Sequence, residues 1–507
     1  MTDQIDLGEL TFDEGFFLLR NARRTHGSYS PGEDAPGGYR HVFTYAGSRK
    51  TIKEAALELI GRARDKVFVA SYLLGEKDLL EALYAAAHRL RGGVYVISEL
   101  SGQSLRRRLA ELEDERDPDD AARIQRKHFA ELTRRGIAVR GHPNCHAKFV
   151  VVDDRFALIS SANLDTNGLN SIGENGVVID EPAEVDRIAR FFVRLWHSCS
   201  YEMPPGSATY SVQRREPEPS SCRVPLPEKP PGPGVIWTHD DERFILDHLH
   251  DVIDQARNSV LLATFSLNGL VDRPELLLGP LERAMRRRPL QVDLLCRGRN
   301  NMAAHRADAT ALADLGVRVH ADSRNHAKGV IADGGKGALF SANFDAAHGL
   351  LDGVETGVRL DGQTALAEAV RYFTHAMAEA DLSFARRPTQ KEMNDRLAAG
   401  WRKPWPLETT LGIDCAESVW REFSAAVRKP PVLYTRERGG RLLLHAGEAV
   451  WELSQPRDRK TWRLAPLPEE TSPGAGALLG NWLSRPRTRG TSDPEARGIC
   501  PAVLERR

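Results

Sequence analysis

Cys145-His146-Ala147-Lys148-Phe149-Val150-Val151-Val152-Asp153, followed by Leu158-Ile159-Ser160-Ser161-Ala162-Asn163, has a second copy further along the same chain. That copy reads Asn325-His326-Ala327-Lys328-Gly329-Val330-Ile331-Ala332-Asp333 and continues into Ala338-Leu339-Phe340-Ser341-Ala342-Asn343. His, Lys, Asp, Ser and Asn keep the same internal offsets, so both copies specify one geometry. The apolar β-formers from Phe149 to Val152, the polar Asp153-Asp154-Arg155 and the renewed apolar run from Phe156 to Ile159 predict strand, turn, strand. Asp333-Gly334-Gly335 supplies a stronger turn in the second copy. Strand side chains alternate faces, so His146 and Lys148 project together, as do Ser161 and Asn163 on the returning strand. An imidazole, an ammonium, a hydroxyl and an amide converging at one spot suit a phosphate group and offer few carboxylates to a metal.

The pattern around each copy also repeats. Ile52 to Arg64 reads as helix, Val67 to Leu74 as a buried strand, Lys77 to Leu90 as helix and Val94 to Ser98 as strand. A charged segment carrying Arg106 to Arg108 then leads into a helix ending near Arg135, and Gly136 to Arg140 is a strand entering the hairpin. In the second half Asp241 to Ala256 reads as helix, Ser259 to Leu267 as strand, Pro274 to Arg287 as helix and Gln291 to Cys296 as strand. Gly316-Val317-Arg318-Val319-His320 stands where Gly136-Ile137-Ala138-Val139-Arg140 stands in the first half. The repeat is therefore a whole α/β domain and not a motif alone.

The expected division is a first domain with its N-terminal lead over residues 1–202, a Pro-rich extended linker over 203–233 and a second domain over 234–385. A small β-rich appendix follows over 386–483, and a polar, mobile tail over 484–507. The lead contains an amphipathic helix around Phe12 to Arg24. The appendix holds Trp401, Trp405, Trp420, Trp451, Trp462 and Trp482, with strands at Val432 to Arg436, Arg441 to His445 and Ala449 to Leu453. Those indoles could stack on bases or sit at a lipid interface. Filling the core of a small domain is the commoner use.

With 507 residues the chain can bury two or three separate cores. Lys plus Arg and Asp plus Glu are both 70, so the formal charge is zero, which gives no support to nucleic-acid binding through bulk charge and leaves only a local basic groove. Met1 to Glu14 is acidic without an apolar core segment, so no signal peptide is expected. No run of about twenty apolar residues predicts a membrane span. Cys145, Cys199, Cys222, Cys296, Cys415 and Cys500 lack paired spacing, which points to reduced thiols and a cytoplasmic setting.

His146-x-Lys148-x-x-x-x-Asp153 and His326-x-Lys328-x-x-x-x-Asp333, each with a downstream Ser-x-Asn, resemble the paired HKD motifs of the phospholipase D superfamily over roughly residues 40 to 385. Asn170-Ser171-Ile172-Gly173-Glu174 and Asp352-Gly353-Val354-Glu355 supply the carboxylate that follows each motif. One departure is that Ser160 and Phe340 stand where the family usually has Gly before the Ser. The resemblance implies two similar α/β sandwich domains about a pseudo-twofold axis, with His146 and His326 on opposite sides of one phosphodiester. One imidazole attacks phosphorus to form a phosphohistidine and the other protonates the departing oxygen. Analogy favours His146 as nucleophile. Lys148, Lys328, Asn163 and Asn343 would hold the non-bridging oxygens, Ser161 and Ser341 would meet substrate, and Glu174 and Glu355 would each fix a histidine tautomer. Asp153 and Asp333 are structural in this family. No metal and no cofactor is implied.

The remaining candidates are weaker. His142 with Cys145 has no further ligand at useful spacing, and a pair of loop residues is the better reading. The Arg106 to Arg108 and Arg286 to Arg288 runs suit either outlying phosphates or solvated helix faces. For substrate, an intracellular nuclease cleaving DNA or RNA is the favoured expectation, on the segment Ser161-Ala162-Asn163-Leu164, Gly168-Leu169 and Glu174-Asn175-Gly176-Val177-Val178. The alternative is a phospholipase D or cardiolipin-synthase-like transphosphatidylase with peripheral membrane contact, favoured by the Asn-Leu-Asp and Asn-Phe-Asp triplets. A third reading is a non-catalytic scaffold whose appendix binds a partner.

Overall fold

Each half is built outward from its hairpin. Strand Phe149–Val152 returns as Phe156–Ser160 through Asp153 and Asp154, whose φ angles are 54° and 53°. Strand Gly329–Ala332 returns as Lys336–Phe340 through Asp333 at 53° and Gly334 at 66°. Aspartate tolerates this left-handed conformation when its short side chain bonds locally. Here the Asp153 carboxylate accepts the backbone N–H groups of Arg64, Asp65 and Lys66 at 2.6, 2.8 and 2.9 Å. Asp333 accepts those of Arg257, Asn258 and Ser259 at 2.7, 2.7 and 2.9 Å. Both motif aspartates thus stitch their hairpins to the start of a neighbouring strand.

The structure, a computed structural model, describes residues 15–20, 28–32, 38–45, 48–100, 118–171, 173–207, 209–218, 232–300, 302–346, 349–362, 364–388, 392 and 396, with strands between 432 and 466. Seven strands of the first half are ordered Ala138–Gly141, Gly93–Ser98, Lys66–Ala70, Phe149–Val152, Phe156–Ser160, Glu174–Ile179, Tyr39–Thr44. The second half repeats that order as Arg318–Ala321, Gln291–Cys296, Ser259–Ala263, Gly329–Ala332, Lys336–Phe340, Glu355–Asp361, Gly234–His239. In both, the first three strands run parallel and the later pairings are antiparallel. Parallel neighbours need long crossovers. Helices Lys77–Arg89 and Pro118–Arg134 make them in the first half.

Alternation sorts the apolar residues between two layers. Val67, Val69, Val150, Val152 and Leu158 pack under Ile52, Leu59, Leu79 and Leu83 of the outer helices. The opposite face carries Phe68, Phe149, Val151 and Ile159, which share one core with Ile331, Leu339 and Val358 of the second half. Helices Pro182–Ser198 and Thr364–Glu379 lie in that shared core, burying Phe191, Phe192, Leu195, Leu366, Tyr372 and Phe373. The fold is mixed α/β, as expected.

Thr25–Gly298 with Ala311–Asp381 forms one compact unit holding both halves, and Met1–Arg24, Arg299–Thr310 and Leu382–Arg507 form another. In the latter, Phe16–Leu19 is a strand paired antiparallel with Leu382–Ala385, where a helix over Phe12 to Arg24 was expected. The side chains explain the difference: Phe17 is fully buried against Phe384, ring centres 4.9 Å apart, and its backbone N–H and C=O both bond the Asn300 side chain. The appendix supplies four antiparallel strands, Val432–Arg436, Leu442–Ala446, Ala449–Ser454 and Arg463–Pro466. Trp401, Trp405, Trp420, Trp462, Trp482, the 484–507 tail, Arg106 to Arg108 and residues 219–231 lie outside the described residues. The early linker is not merely extended: Gln213–Arg214 pairs with Tyr201–Met203, which joins the edge of the first sheet. No helix among the described residues is long and apolar enough to cross a membrane.

Candidate active site

The segments carrying the two histidines dock onto each other's halves. His146 N–H donates to Val354 C=O at 3.0 Å and Val354 N–H to Asn144 C=O at 2.9 Å. The mirror exchange runs from His326 N–H to Gly173 C=O and from Gly173 N–H to Arg324 C=O, both 2.8 Å. Each exchange places a glutamate from one half beside the imidazole of the other. His146 Nδ1 meets Glu355 Oε1 at 2.8 Å, and His326 Nδ1 meets Glu174 Oε1 at 2.7 Å. Both carboxylates are fully buried. Against an ionised carboxylate each Nδ1 carries a proton, which leaves Nε2 for the chemistry, as a lone pair on a neutral ring or as a proton donor on a charged one.

The serines are spent on the glutamates. Ser161 Oγ donates to Glu174 Oε2 at 2.5 Å, and Ser341 Oγ donates to Glu355 Oε2. Both were expected to meet substrate; both are buried to 1 % or less and their hydroxyls are engaged with the carboxylates. Lys148 and Lys328 are fully buried, each donating to the carbonyl of its own histidine, at 2.5 and 2.6 Å. Asn163 and Asn343 follow, and among the described residues the Oδ1 atom of each has no hydrogen-bond partner. Gly168 and Gly349 lie so close to the Asn163 and Asn343 carbonyls that a side chain at either would displace them.

Burial dominates the electrostatics. It pushes the Glu174 carboxyl up to about 7 against the pull of Lys328 and the Ser161 hydrogen bond. Burial likewise lowers Lys328 to about 7 against the attraction of Glu174, with Lys148 adding repulsion. His326 lies well below its usual value through burial and then through Lys328, Lys148 and Arg297. Because Lys148 acts on both His326 and Lys328, the two motifs form one site. An incoming phosphodiester anion would offset the repulsion between the lysines and favour the charged form of Lys328.

The histidines differ in exposure: the His146 side chain is 13 % accessible and that of His326 4 %. Phe265 closes edge-on over His326 with ring centres 4.7 Å apart, while Tyr72 stands 5.9 Å from His146. Sequence reasoning missed these two rings and the latch beside them. Ser71 Oγ donates to Leu73 C=O and accepts Leu164 N–H, while Thr264 Oγ1 donates to Ser266 C=O and accepts Phe344 N–H. Each latch fixes the residue directly after Asn163 or Asn343. The signal was present as Ala70-Ser71-Tyr72 and Ala263-Thr264-Phe265, at equivalent ends of equivalent strands.

The departures before the serines are absorbed next door. Ser160 and Phe340 each face a glycine across the sheet, Gly176 and Gly357, where a Cβ would come within 2.6 Å of theirs. The small residue has changed strand. Cys145 is buried, its thiol pushed up to about 12 by burial, and His142 packs edge-on against His239 at 5.6 Å. Arg286 and Arg287 pair with Glu282 and Asp254 on an exposed helix face.

Residues 56–196 match the family model described as cardiolipin synthase, PLD-like domain. No curated protein matches the sequence. Among solved structures, phosphatidylserine synthase of Haemophilus influenzae Rd KW20 is similar over 82 % of this chain and 97 % of that one, at 16 % identity and a TM-score of 0.52. A polyphosphate kinase of Porphyromonas gingivalis shares 16 % identity over 63 % of this chain, with a TM-score of 0.39, and the chain spans 47 % of its length. The phospholipase D family member Nuc of Salmonella typhimurium shares 19 % identity over 33 % of this chain and 97 % of its own, with a TM-score of 0.25.

Proposed function

We propose that this chain, whose residues 56–196 match a PLD-like domain, is a phosphodiesterase of the phospholipase D superfamily working through a covalent phosphohistidine, without a metal. The crossed His–Glu pairs carry the proposal. Two buried glutamates hold two imidazoles in the same tautomer around a pair of buried lysines, which suits in-line displacement at phosphorus.

In the first step Nε2 of one histidine attacks phosphorus, the N–P bond forms and the P–O bond to the departing alcohol breaks. The other histidine, which enters the step as an imidazolium, gives its Nε2 proton to that oxygen and becomes neutral. In the second step the now neutral second imidazole removes a proton from water or an alcohol, whose oxygen attacks phosphorus and breaks the N–P bond. Analogy assigns the attack to His146. Lys148, Lys328 and the amides of Asn163 and Asn343 hold the non-bridging oxygens. Glu174 and Glu355 stabilise the imidazolium that forms in turn on each ring.

Phospholipid is the better-supported substrate class, through the cardiolipin synthase description of the matching domain and a phosphatidylserine synthase similar along most of both chains. Nucleic acid, the expectation from sequence, keeps as its basis the local segment from Ser161 to Val178 alone. Purified protein incubated in EDTA with phosphatidylglycerol, DNA and RNA separates the two. Phosphatidyl hydrolysis or transfer is expected, falling at least about a thousandfold in both His146→Ala and His326→Ala. Cleavage of nucleic acid alone would restore the nuclease reading, and turnover surviving either substitution would sink the two-histidine mechanism.

A further inference from the structure

Two buried hydroxyls beside the site have no role in the mechanism above. Thr44 stands directly opposite Glu174 in the antiparallel pairing of Tyr39–Thr44 with Glu174–Ile179. Thr238 stands directly opposite Glu355 in the pairing of Gly234–His239 with Glu355–Asp361. Residues so paired point to the same face of the sheet with Cβ atoms roughly 4.5–5.5 Å apart. Both threonines are 0 % exposed, and among the described residues neither Oγ1 has a hydrogen-bond partner. Burying a hydroxyl unbonded is unfavourable, and valine would fill the same space without that cost. That the arrangement recurs in both halves, each time facing the glutamate that holds a histidine, argues against an isolated packing accident.

Each glutamate is thus flanked by a serine already bonded to it and by a threonine with its hydroxyl in reserve. We propose that Thr44 and Thr238 are positioning residues whose hydroxyls turn onto Glu174 and Glu355 during turnover, adding a second hydroxyl donor to each carboxylate as charge develops on its histidine. The inference rests on the His–Glu reading of the site given above. A threonine hydroxyl has more than one accessible rotamer, so rotation about χ1 alone can redirect it. The carboxylate has spare lone pairs, since among the described residues Glu174 accepts from His326 and Ser161.

The charged and titratable groups facing Glu174 are His326, Lys328, Lys148 and Tyr372, and those facing Glu355 are His146, Lys328 and Cys145. A hydroxyl bond to the ionised carboxylate favours its charged form. Its loss raises the carboxyl further and makes the imidazolium opposite harder to form.

Thr44→Val and Thr238→Val, assayed in EDTA on bis(p-nitrophenyl) phosphate, are therefore expected to retain KM and lose about tenfold in kcat. The acidic limb of the kcat profile moves to higher pH, and Thr44→Ser restores both. In parallel, nitrogen-15 NMR of the histidine rings in the whole protein should show the His326 titration moving to lower pH in Thr44→Val, and that of His146 in Thr238→Val. Thermal melting no lower than that of the parent shows that the valine variants fold. Parent-like kcat, pH profile and ring titrations in both valine variants, with His326→Ala inactive, would overturn this inference and leave the mechanism standing. Should His326→Ala retain full activity, the mechanism itself fails, and the ring titrations still decide whether the threonines act on the glutamates.

Discussion

At Glu174, Lys328 and His326, burial sets the protonation states that the reaction must then work with. Glu174 and Lys328 both sit near 7, one pushed up and the other down by loss of solvent. Glu174 must be ionised to hold the His326 ring, so activity rises with pH as its proton leaves. Lys328 must be charged to hold phosphate, so activity falls as pH rises through its value. The free enzyme should therefore show a narrow bell in kcat/KM centred near pH 7, with limbs that belong to the coupled set and not to single residues. Lys328→Arg, whose guanidinium stays charged, should flatten the alkaline limb while lowering the maximum, because a planar fork does not fit a cavity shaped for an ammonium. A profile rising steadily to pH 9 in the parent would contradict this assignment.

The hairpin is the element on which the site stands, and its far end carries stability, not chemistry. Asp153 binds three backbone N–H groups, and although burial raises its carboxyl, those bonds outweigh it and hold the group below its usual range. A group depressed on folding contributes stability above its unfolded value and loses it as pH falls through the folded one. Asp153→Ala should thus cost about 2 kcal/mol at neutral pH, less in acid, and leave kcat of the folded fraction unchanged, as urea titration beside an activity assay would show. A large loss of kcat at full folding would return Asp153 to the chemistry. Hairpins were legible in the sequence because strand, turn and recurrent Asp are local signals. Phe16–Leu19 was not, since what makes it a strand is a partner at Leu382–Ala385, beyond the whole repeat. The Ser161 bond was hidden for a related reason: alternation puts the side chain on the right face, but only the fold shows that Glu174 takes its hydroxyl.

Across the whole molecule the repeat matters because it is cross-wired. The sequence presents Glu174 and Glu355 as equivalent, each downstream of its own motif, and nothing local says that each serves the histidine of the other half. That pairing arises from the exchange of backbone bonds at Gly173 and Val354, a long-range property. It has a consequence independent of which histidine attacks. Weakening the glutamate behind the attacking imidazole slows formation of the phosphohistidine, so little accumulates. With an activated leaving group that needs no acid, as in bis(p-nitrophenyl) phosphate, weakening the other spares that step but disables the base that releases the intermediate, which builds up. Because the disabled histidine lies in the opposite half from its glutamate, the trapped phosphate must lie in the same half as the substituted one. Of Glu174→Gln and Glu355→Gln, one should therefore accumulate phosphohistidine on rapid quenching, at His146 in the former case or at His326 in the latter, as peptide mass spectrometry would locate. Phosphate trapped at His326 in Glu174→Gln, or at His146 in Glu355→Gln, would mean that each glutamate serves its own half during turnover.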